Sequence, residues 1–227
     1  MKLIQSGRVD RAIVGGADCL AKYTVNGFNS LRILSDEPCK PFDLARNGLT
    51  LGEAAAYLVL EADELVGKKQ RWALVSGGGN ANDAFHPSAT SEDARGPVLA
   101  MERALSQAGI TPKDINYINA HGTGTENNDR TECIAFQRIF GTPPSFNSTK
   151  SYTGHTLAAA GAIESVFTVL SIFYQELYPS LNCIHPQPEF PFQPVLNLTS
   201  NYPIQHAMTN SFGFGGNCTS LVISSCS

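Results

Sequence analysis

The sequence predicts an α/β protein whose core is a mixed sheet covered by layers of helix. Three observations carry this prediction. Apolar strand-like runs alternate with helical patterns through the middle of the 227-residue chain, one helical pattern is apolar on almost all sides, and the chain ends on two strand-like runs joined by a glycine-rich turn. Alternating strands and helices favour parallel pairing, whereas the terminal pair favours a hairpin, so both pairings are expected in one sheet.

The composition narrows the class of protein. Hydrophobic residues make up 42% and charged residues 16% of the chain, which indicates extensive buried surface within the chain or against a partner. The net charge of -4 gives no electrostatic reason to expect nucleic acid or an anionic membrane as a partner. We find no apolar run of membrane-spanning length and no signal-peptide core at the N-terminus, and we therefore expect a cytoplasmic protein.

The cysteines predict neither a disulfide framework nor a zinc site. No Cys-x-x-Cys pair occurs and the five histidines show no zinc-type pairing, which favours reduced thiols. The six cysteines are Cys19, Cys39, Cys133, Cys183, Cys218 and Cys226.

The start of the chain is unusual for the start of a domain. Residues 1–6 resemble the last turns of a helix that Gly7 ends, and residues 11–16 follow directly as a short buried strand. We therefore expect that something precedes them, either more of the natural chain or a second polypeptide that supplies the missing layers. Residues 25–34 are predicted as a short helix with a loop, and residues 52–61 as a strand.

The next segments predict one short and one long helix around a strand. Residues 62–71 have the pattern of a short polar helix broken near its centre. Residues 72–76 are predicted as a strand that runs into Gly77-Gly-Gly79 and a loop holding Asp83, His86 and Pro87. Residues 96–109 carry their apolar side chains on one stripe, which predicts an amphipathic helix.

The second half contains the strongest element predictions. The apolar run 115–120 predicts a buried strand, and residues 126–140 a helix with an acidic first turn. Residues 156–174 predict a helix buried on most sides, in which Glu164 is the one charge and needs a partner or a proton. A proline-rich crossing leads to the terminal hairpin. Its strands are predicted at residues 207–211 and 219–224.

Two histidines lie in glycine-flanked loops, where α/β folds place ligands at the carboxyl ends of strands. His121 begins the stretch His121-Gly-Thr-Gly-Thr125, and His155 opens the apolar helix, whose positive end disfavours imidazolium. A neutral imidazole can donate a hydrogen bond to a developing oxyanion or accept a proton. Lys150 near Asp129 and Glu132 would form a neutralised cluster that orients a histidine.

Each of these features also has a simpler structural explanation. His155 could cap its helix, and Lys150 could be a solvated loop lysine. Asp129 and Glu132 could form an ordinary acidic first turn. The glycines of residues 213–216 could only shape a hairpin turn. A phosphate-binding glycine loop is not expected, because neither of the two common glycine motifs occurs.

Three loop motifs appear together in a fixed order. They are His121-Gly-Thr-Gly-Thr125 with Asp129 and Glu132, Lys150 with Gly154-His155, and Asn210-Ser-Phe-Gly-Phe-Gly-Gly216. This pattern resembles the β-ketoacyl-[acyl-carrier-protein] synthases of the elongating type, in the thiolase-like superfamily, over essentially the whole chain. The resemblance implies a layered α-β-α-β-α architecture with a mixed five-stranded sheet. Residues 1–66 would be the end of the first thiolase-like half with its connection, and residues 67–227 the complete second half.

The resemblance also implies a role for each residue of the motifs. His121 and His155 match the two histidines that bind the malonyl thioester oxygen as enolate charge develops. Lys150 and Glu132 match the pair that supports His121, with Asp129 nearby. Phe214 matches the gating phenylalanine, whose backbone N–H helps to form the acyl oxyanion hole. The residues that match substrate-binding positions are Thr123, Thr125, Phe212 and Gly213. Those that match positions around a possible structural cation are Asn119, Glu164 and Asn210, and no other metal is expected.

The sequence departs from the family at the nucleophile. The family's acyl-accepting cysteine lies in the first half, before the point at which this chain begins, and none of the six cysteines has its context. The expected reaction is decarboxylative condensation of malonyl on a carrier protein with an acyl thioester, in fatty acid or polyketide synthesis, which this chain would not complete alone.

The expected partners are an acyl carrier protein and a cysteine-bearing half or ketosynthase partner, in a homo- or heterodimer. No cofactor is expected beyond the phosphopantetheine that arrives on the carrier protein. Two other functions stay open. The chain could be a non-catalytic subunit like the chain-length factors that pair with an active ketosynthase, or a thiolase-like acyltransferase of another pathway.

Overall fold

A computed structural model of the protein describes residues 1–67 and 69–226. Most elements follow the predicted order. The strands are β1 Arg11–Asp18, β2 Ala54–Glu61, β3 Leu74–Asn82, β4 Tyr117–Asn119, β5 Ser145–Asn147, β6 Glu176–Leu177, β7 Thr199–Ser200, β8 His206–Gly213 and β9 Asn217–Ser224. The helices are α1 Lys2–Gln5, α2 Lys22–Ser30, α3 Asp63–Val66, α4 Arg95–Ala108, α5 Glu126–Phe140, α6 Lys150–Thr153 and α7 Ala160–Tyr174, with 3₁₀ turns at Pro112–Asp114, Leu157–Ala159 and Phe214–Gly216.

The strands form one large sheet and two small ones. The five-stranded sheet has the order β3-β9-β8-β4-β5. Strand β9 pairs antiparallel with β3 on one side and with β8 on the other, whereas β8, β4 and β5 are parallel to one another. Strands β1 and β2 pair antiparallel in a separate sheet, and β6 pairs with β7 in a third. The mixed five-stranded sheet and the α/β class are therefore confirmed, as is the terminal hairpin of β8 and β9.

Helix α7 lies between the two main sheets. It packs against β8 on one side and against β1 and β2 on the other. Helices α4 and α5 cover the opposite face of the five-stranded sheet. From α4 and α5 outwards the layers are therefore helix, sheet, helix, sheet, which are four of the five layers that the resemblance implied.

Alternation along the central strands divides the core between the two faces of the sheet. Ile118 and Met208 belong to the apolar cluster under α4 and α5, whereas the adjacent Tyr117 and Ala207 belong to the cluster under α7. Successive side chains of a strand point to opposite faces, so neighbouring residues fill different cores. This explains why successive residues of β4 and β8 are buried on both faces of the sheet.

The strand predicted to end at residue 76 extends further in the structure, because residues 77–79 lie inside strand β3. Helix α4 crosses β3 so closely that side chains would not fit. A Cβ on Gly79 would lie 2.7 Å from the Ala104 amide nitrogen and still closer to the Ala100 carbonyl oxygen. Gly77 and Gly79 therefore serve close packing of helix on strand rather than a turn.

The polar helix predicted at 62–71 is shorter in the structure, where α3 covers only Asp63–Val66. The predicted division between residues 66 and 67 lies in the connection from α3 to β3. It adjoins Lys68, which is outside the described residues, as is Ser227 at the end of the second predicted half. The division stays a prediction.

The first part of the chain has little core of its own. None of residues 1–38 is buried. One face of the β1–β2 sheet packs on α7, and the other exposes Ile13, Val59 and Tyr57, at 76%, 68% and 61% of their surfaces. A sheet that is apolar on both faces is typical of a strand pair covered on both sides.

One helical run is apolar enough and long enough to cross a membrane by length and composition alone. It is Leu157–Tyr174, with a mean hydropathy of 1.7, so our expectation that no run reaches this length was wrong. Within the described residues this run is the layer between the two sheets, and it carries the buried carboxylate of Glu164. Central helices of globular folds have the same composition.

We expect Gly79→Ala to destabilise the fold by about 1–3 kcal/mol or more, because the added methyl group would push α4 away from β3. Gly78→Ala is the matched control. Its Cβ would find only the Leu221 Cδ2 atom at 3.2 Å and the Gln107 Oε1 atom at 3.7 Å, both on flexible side chains. Urea unfolding followed by circular dichroism measures the difference, and equal losses for the two variants would contradict this account.

Candidate active site

Three loops converge because the strands that precede them are parallel neighbours. Strand β4 pairs with β5 on one side and with β8 on the other, all in the same direction. Their carboxyl ends therefore lie at one edge of the sheet. The loops that leave this edge carry His121, Lys150 with His155, and Phe214, so the structure brings the three predicted motifs together.

The two histidines meet across a cavity of about 1280 Å³. The ring centroids of His121 and His155 lie 5.3 Å apart with the planes at 85°, and the Phe212 ring lies 5.6 Å from that of His121. Both histidines line the cavity, as do Thr123, Phe212 and Phe214. A ligand in the cavity would therefore reach both imidazoles at once.

Lys150 is buried against His121. Its Nζ atom lies 3.0 Å from His121 Nδ1 and donates to the His121 carbonyl oxygen at 2.6 Å. Its carboxylate partner is Glu164 of α7 rather than the predicted Glu132. The sequence did not predict this pair, because only the packing of α7 under the sheet brings Glu164 to the loop. A solvated loop lysine is excluded, since Lys150 is 1% exposed.

Glu132 and Asp129 hold the backbone of the His121 loop. Glu132 accepts hydrogen bonds from the N–H groups of His121 and Gly122, both at 2.9 Å. Asp129 accepts from the N–H of Gly124 at 3.2 Å and from that of Phe42 at 2.8 Å. Both carboxylates are fully buried, so they are not an exposed acidic first turn.

Burial raises the pKa of both carboxyl groups. The pKa of Glu132 rises to about 7, against the opposing effect of the N–H groups that it accepts from. The pKa of Asp129 is also raised by burial, and its hydrogen bonds again oppose the shift. These groups therefore act through hydrogen bonds to the loop rather than as free surface charges.

Both imidazoles have the same arrangement of donor and acceptor. The Leu157 N–H donates to His155 Nδ1 at 3.2 Å, and the Lys150 ammonium faces His121 Nδ1. Because each Nδ1 accepts, we assign the ring proton to Nε2 in both histidines. Leu157 has a φ of 47°, a left-handed conformation that is costly for leucine and aims its N–H at the ring.

Burial keeps both histidines neutral. The pKa of His155 falls to about 3, through burial and then the Lys150 charge. Burial, Lys150 and His155 lower the pKa of His121 well below its ordinary value. The sequence predicted a neutral His155 from the helix end, and the main cause is instead desolvation. Two uncharged Nε2–H donors therefore belong to one cavity.

Residues 39–52, parts of which resemble the same family in sequence, fix both histidine loops from outside through contacts that the sequence did not predict. The His155 N–H donates to the Thr50 carbonyl at 2.6 Å, and the Gly52 N–H donates back to the His155 carbonyl at 3.1 Å. The Gly48 N–H donates to the Gly124 carbonyl at 3.1 Å. These contacts join residues far apart in the chain, so no local pattern reveals them.

The other predicted site residues also lie at the cavity. The Thr123 and Thr125 hydroxyl oxygens are 2.8 Å apart. Phe214 is 49% exposed, and its ring stacks on that of Phe28 in α2, with centroids 5.8 Å apart. Phe28 is a cavity residue that the sequence analysis missed, because α2 has no motif. Gly213 also lines the cavity.

The residues of the possible cation site are neighbours as well. The Asn119 amide donates to the Glu164 carbonyl oxygen at 3.2 Å, and the Asn210 amide donates to Glu132 at 3.1 Å. Glu164 Oε2 is buried and has no hydrogen-bond partner within the described part of the chain. Such an oxygen fits a hard cation or a proton, so cation binding stays a prediction.

Comparisons with known proteins agree with this geometry. The family model described as the C-terminal domain of β-ketoacyl synthase matches residues 72–184, and the model described as its N-terminal domain matches residues 1–65. The chain belongs to the β-ketoacyl synthase family. This confirms the resemblance stated from the motifs.

Individual members of the β-ketoacyl synthase family are similar over almost all of the chain. The 3-oxoacyl-[acyl-carrier-protein] synthase 2 of Staphylococcus aureus is 37% identical over 232 residues, which covers 97% of this chain and 58% of that protein. The ketosynthase ApeO in complex with its chain length factor ApeC, from Xenorhabdus doucetiae, aligns with a TM-score of 0.90 at 40% identity, over 99% of this chain and 55% of that one.

A third comparison concerns a ketosynthase bound to its carrier protein. The complex AntDE:AntF, a type II polyketide synthase acyl-carrier protein with its ketosynthase, aligns with a TM-score of 0.96 at 32% identity. It covers 100% of this chain and 59% of that chain. The chain thus spans little more than half the length of the relatives that it matches.

We expect Glu164→Gln and Lys150→Met each to destabilise the protein by about 3–5 kcal/mol, because each leaves a buried charge without its partner. The double variant should lose less than the sum of the two, since it buries neither charge. Urea unfolding of the four proteins measures this coupling. Strictly additive losses would contradict a buried ion pair.

We expect neither His121 nor His155 to titrate between about pH 8 and pH 5, because their pKa values lie below the ordinary range. Both rings should show the Nε2–H tautomer in ¹H–¹⁵N spectra of histidine-labelled protein. An exposed histidine, His86, serves as the internal control, since it is free of the buried cluster. A ring proton on Nδ1 of either cavity histidine would contradict the assignment.

The lowered pKa of His155 also makes the stability of the fold depend on pH. The folded pKa of His155 lies below its unfolded value, so the folded state binds fewer protons. The stability contributed by the neutral ring is therefore full above about pH 6.5 and declines as the pH falls towards about 3. The pH dependence of unfolding should be shallower in His155→Gln than in the unsubstituted protein over this range.

Proposed function

We propose that this chain supplies the malonyl-decarboxylating site of a β-ketoacyl synthase. The observation that carries the proposal is the pair of neutral histidines, each of which presents Nε2–H to one cavity. Two such donors suit a thioester oxygen on which negative charge develops, because their hydrogen bonds strengthen as the charge grows. An imidazolium pair would not survive this burial.

The chemistry follows from the position of the charge. The bond between the malonyl carboxylate and its α-carbon breaks, carbon dioxide leaves, and the electron pair moves into the thioester enolate. His121 and His155 donate to the enolate oxygen. The enolate carbon then attacks an acyl thioester on a cysteine and expels the thiolate, or it takes a proton from water to give the acetyl thioester.

The surrounding residues position these donors. Lys150 fixes the His121 ring through Nδ1, and Glu132 with Asp129 fixes the loop that carries it. Thr123 and Thr125 offer hydroxyls to the pantetheine arm. The other proposed roles are substrate contact for Phe212 and Gly213, and gating with an oxyanion-hole N–H for Phe214.

The acyl-accepting thiol is proposed to come from outside these residues. Burial raises the pKa of Cys39, Cys183 and Cys218 to about 12 and that of Cys133 well above its ordinary value, which opposes the reactive thiolate. Cys19 lies at a different cavity, beside Asp18 and Glu53. By this reasoning the chain alone does not complete a condensation.

The exposed face of the β1–β2 sheet supports a cysteine-bearing half as the missing partner. Its exposed apolar side chains are stabilised when a further layer of protein packs on them, and the longer relatives contain sequence beyond this chain that could supply that layer. The further partners we propose are an acyl carrier protein, which brings phosphopantetheine and makes a bound cofactor unnecessary, and a second ketosynthase-type subunit in a dimer. A cytoplasmic location fits this partner set.

The alternative is a non-catalytic chain-length-factor-like subunit. Solved ketosynthase complexes with chain length factors are among its structural relatives, with TM-scores of 0.94 and 0.90. A scaffold has no physical need for two neutral histidines, a buried lysine and their carboxylates in one cavity. The intact site therefore favours the catalytic role.

We expect the chain to decarboxylate malonyl-carrier protein to acetyl-carrier protein, because this step needs the histidine pair but no thiol. His121→Ala and His155→Ala should each lower the rate by about 10²–10³-fold, the usual cost of one oxyanion donor. Mass spectrometry of the carrier protein measures both thioesters. Tyr152→Phe, which alters a half-exposed ring outside the cavity, is the matched control.

A rate that the histidine variants leave unchanged would contradict the proposal and favour the scaffold. Adding the cysteine-bearing half of a ketosynthase separates the remaining cases. Restored condensation that depends on His121 supports a split or truncated synthase.

A further inference from the structure

The cavity mouth is bordered by a closed loop. Both ends of the loop at residues 83–91 are joined by one buried carboxylate, since Asp83 accepts from the Ser91 N–H at 2.6 Å and from the Ser91 hydroxyl at 2.8 Å. Asp83 also accepts from the Gly96 N–H at 2.9 Å, at the start of α4. The base of the loop is therefore fixed, whereas residues 84–88 are exposed.

Two hydrogen bonds join this loop to the Phe214 turn. The Gly215 N–H donates to the Pro87 carbonyl at 2.7 Å, and the Asp83 N–H donates to the Gly216 carbonyl at 2.8 Å. Any change in the path of the loop therefore changes the position of the turn that carries Phe214.

Two further hydrogen bonds join the loop to helix α5 across the cavity mouth. The Thr90 N–H donates to Asn127 Oδ1 at 2.9 Å, and Asn127 Nδ2 donates to the Thr90 carbonyl at 3.1 Å. One amide thus satisfies both backbone groups of Thr90, as a paired strand would. Both residues line the cavity together with the histidines.

We propose that Asn127 is a positioning residue that sets access to the active site. It holds the loop 83–91 beside the helix that follows Thr123 and Thr125, and through Pro87 it fixes the turn of Phe214. It touches no reacting atom. The effect on substrate rests on the proposed function, whereas the effect on the loop does not.

Hydrogen exchange tests the effect on the loop. In Asn127→Ala the amides of Thr90 and Gly215 should exchange about 5–30-fold faster, the loss expected for one or two hydrogen bonds. Asn127→Asp keeps the acceptor for Thr90 N–H and should give a smaller change. Glu126→Ala, on the same helix turn, is the control and should leave both amides unchanged. Unchanged exchange in Asn127→Ala, or faster exchange throughout the chain, would overturn the proposal.

Decarboxylation kinetics test the effect on substrate. Asn127→Ala should raise the KM for malonyl-carrier protein by about 3–10-fold and change kcat by less than about two-fold, because a looser loop must be ordered on binding while the reacting groups stay in place. Faster exchange with an unchanged KM would overturn the role in access. Failure of the unsubstituted chain to decarboxylate would sink the proposed function, and the exchange result would still decide the role of Asn127.

Discussion

The burial of one ammonium group is the constraint on which the site depends. Lys150 Nζ lies between His121, on the loop after β4, and Glu164, on helix α7. A buried charge is tolerated only with partners held in good geometry. The loop, the short helix α6 and the central helix therefore cannot shift independently. The same charge favours the neutral form of both imidazoles, so one residue serves both the fold and the electrostatics.

The site is built to present donors rather than charges. Buried carboxylates usually pair with cations, but the carboxylate oxygens of Glu132 and Asp129 accept hydrogen bonds from backbone N–H groups. This gives the His121 loop a fixed shape in which its two glycines adopt positive φ. A Cβ on Gly122 would lie 2.5 Å from the Ser148 Cβ, so the loop also packs closely on the strand β5 side. Rigidity of this kind keeps both imidazoles oriented before a substrate arrives.

Local pattern predicted the parts of this molecule that local physics determines. The helix at 126–140 matches its predicted bounds, and the three motifs meet because parallel strands share one edge. The sequence predicts a strand that ends at residue 76, but Gly77 and Gly79 lie inside β3, where α4 from elsewhere in the chain packs too closely for a side chain. The sequence predicts that Glu164 needs a partner, but that this partner is Lys150 depends on how α7 packs. Interactions between distant segments leave no periodicity in the sequence.

The dependence of the site on the first part of the chain is the least expected feature. Residues 1–38 have no buried member, yet the segment that follows them pins His155 through Thr50 and Gly52. The two family models therefore divide a single site, because the N-terminal match contains the segment that positions a histidine of the C-terminal match. A polypeptide limited to residues 72–184 would keep both histidines and lose the backbone contacts that aim one of them. Sequence motifs identify the reacting groups, whereas their geometry depends on backbone contacts between the N-terminal and C-terminal parts of the chain.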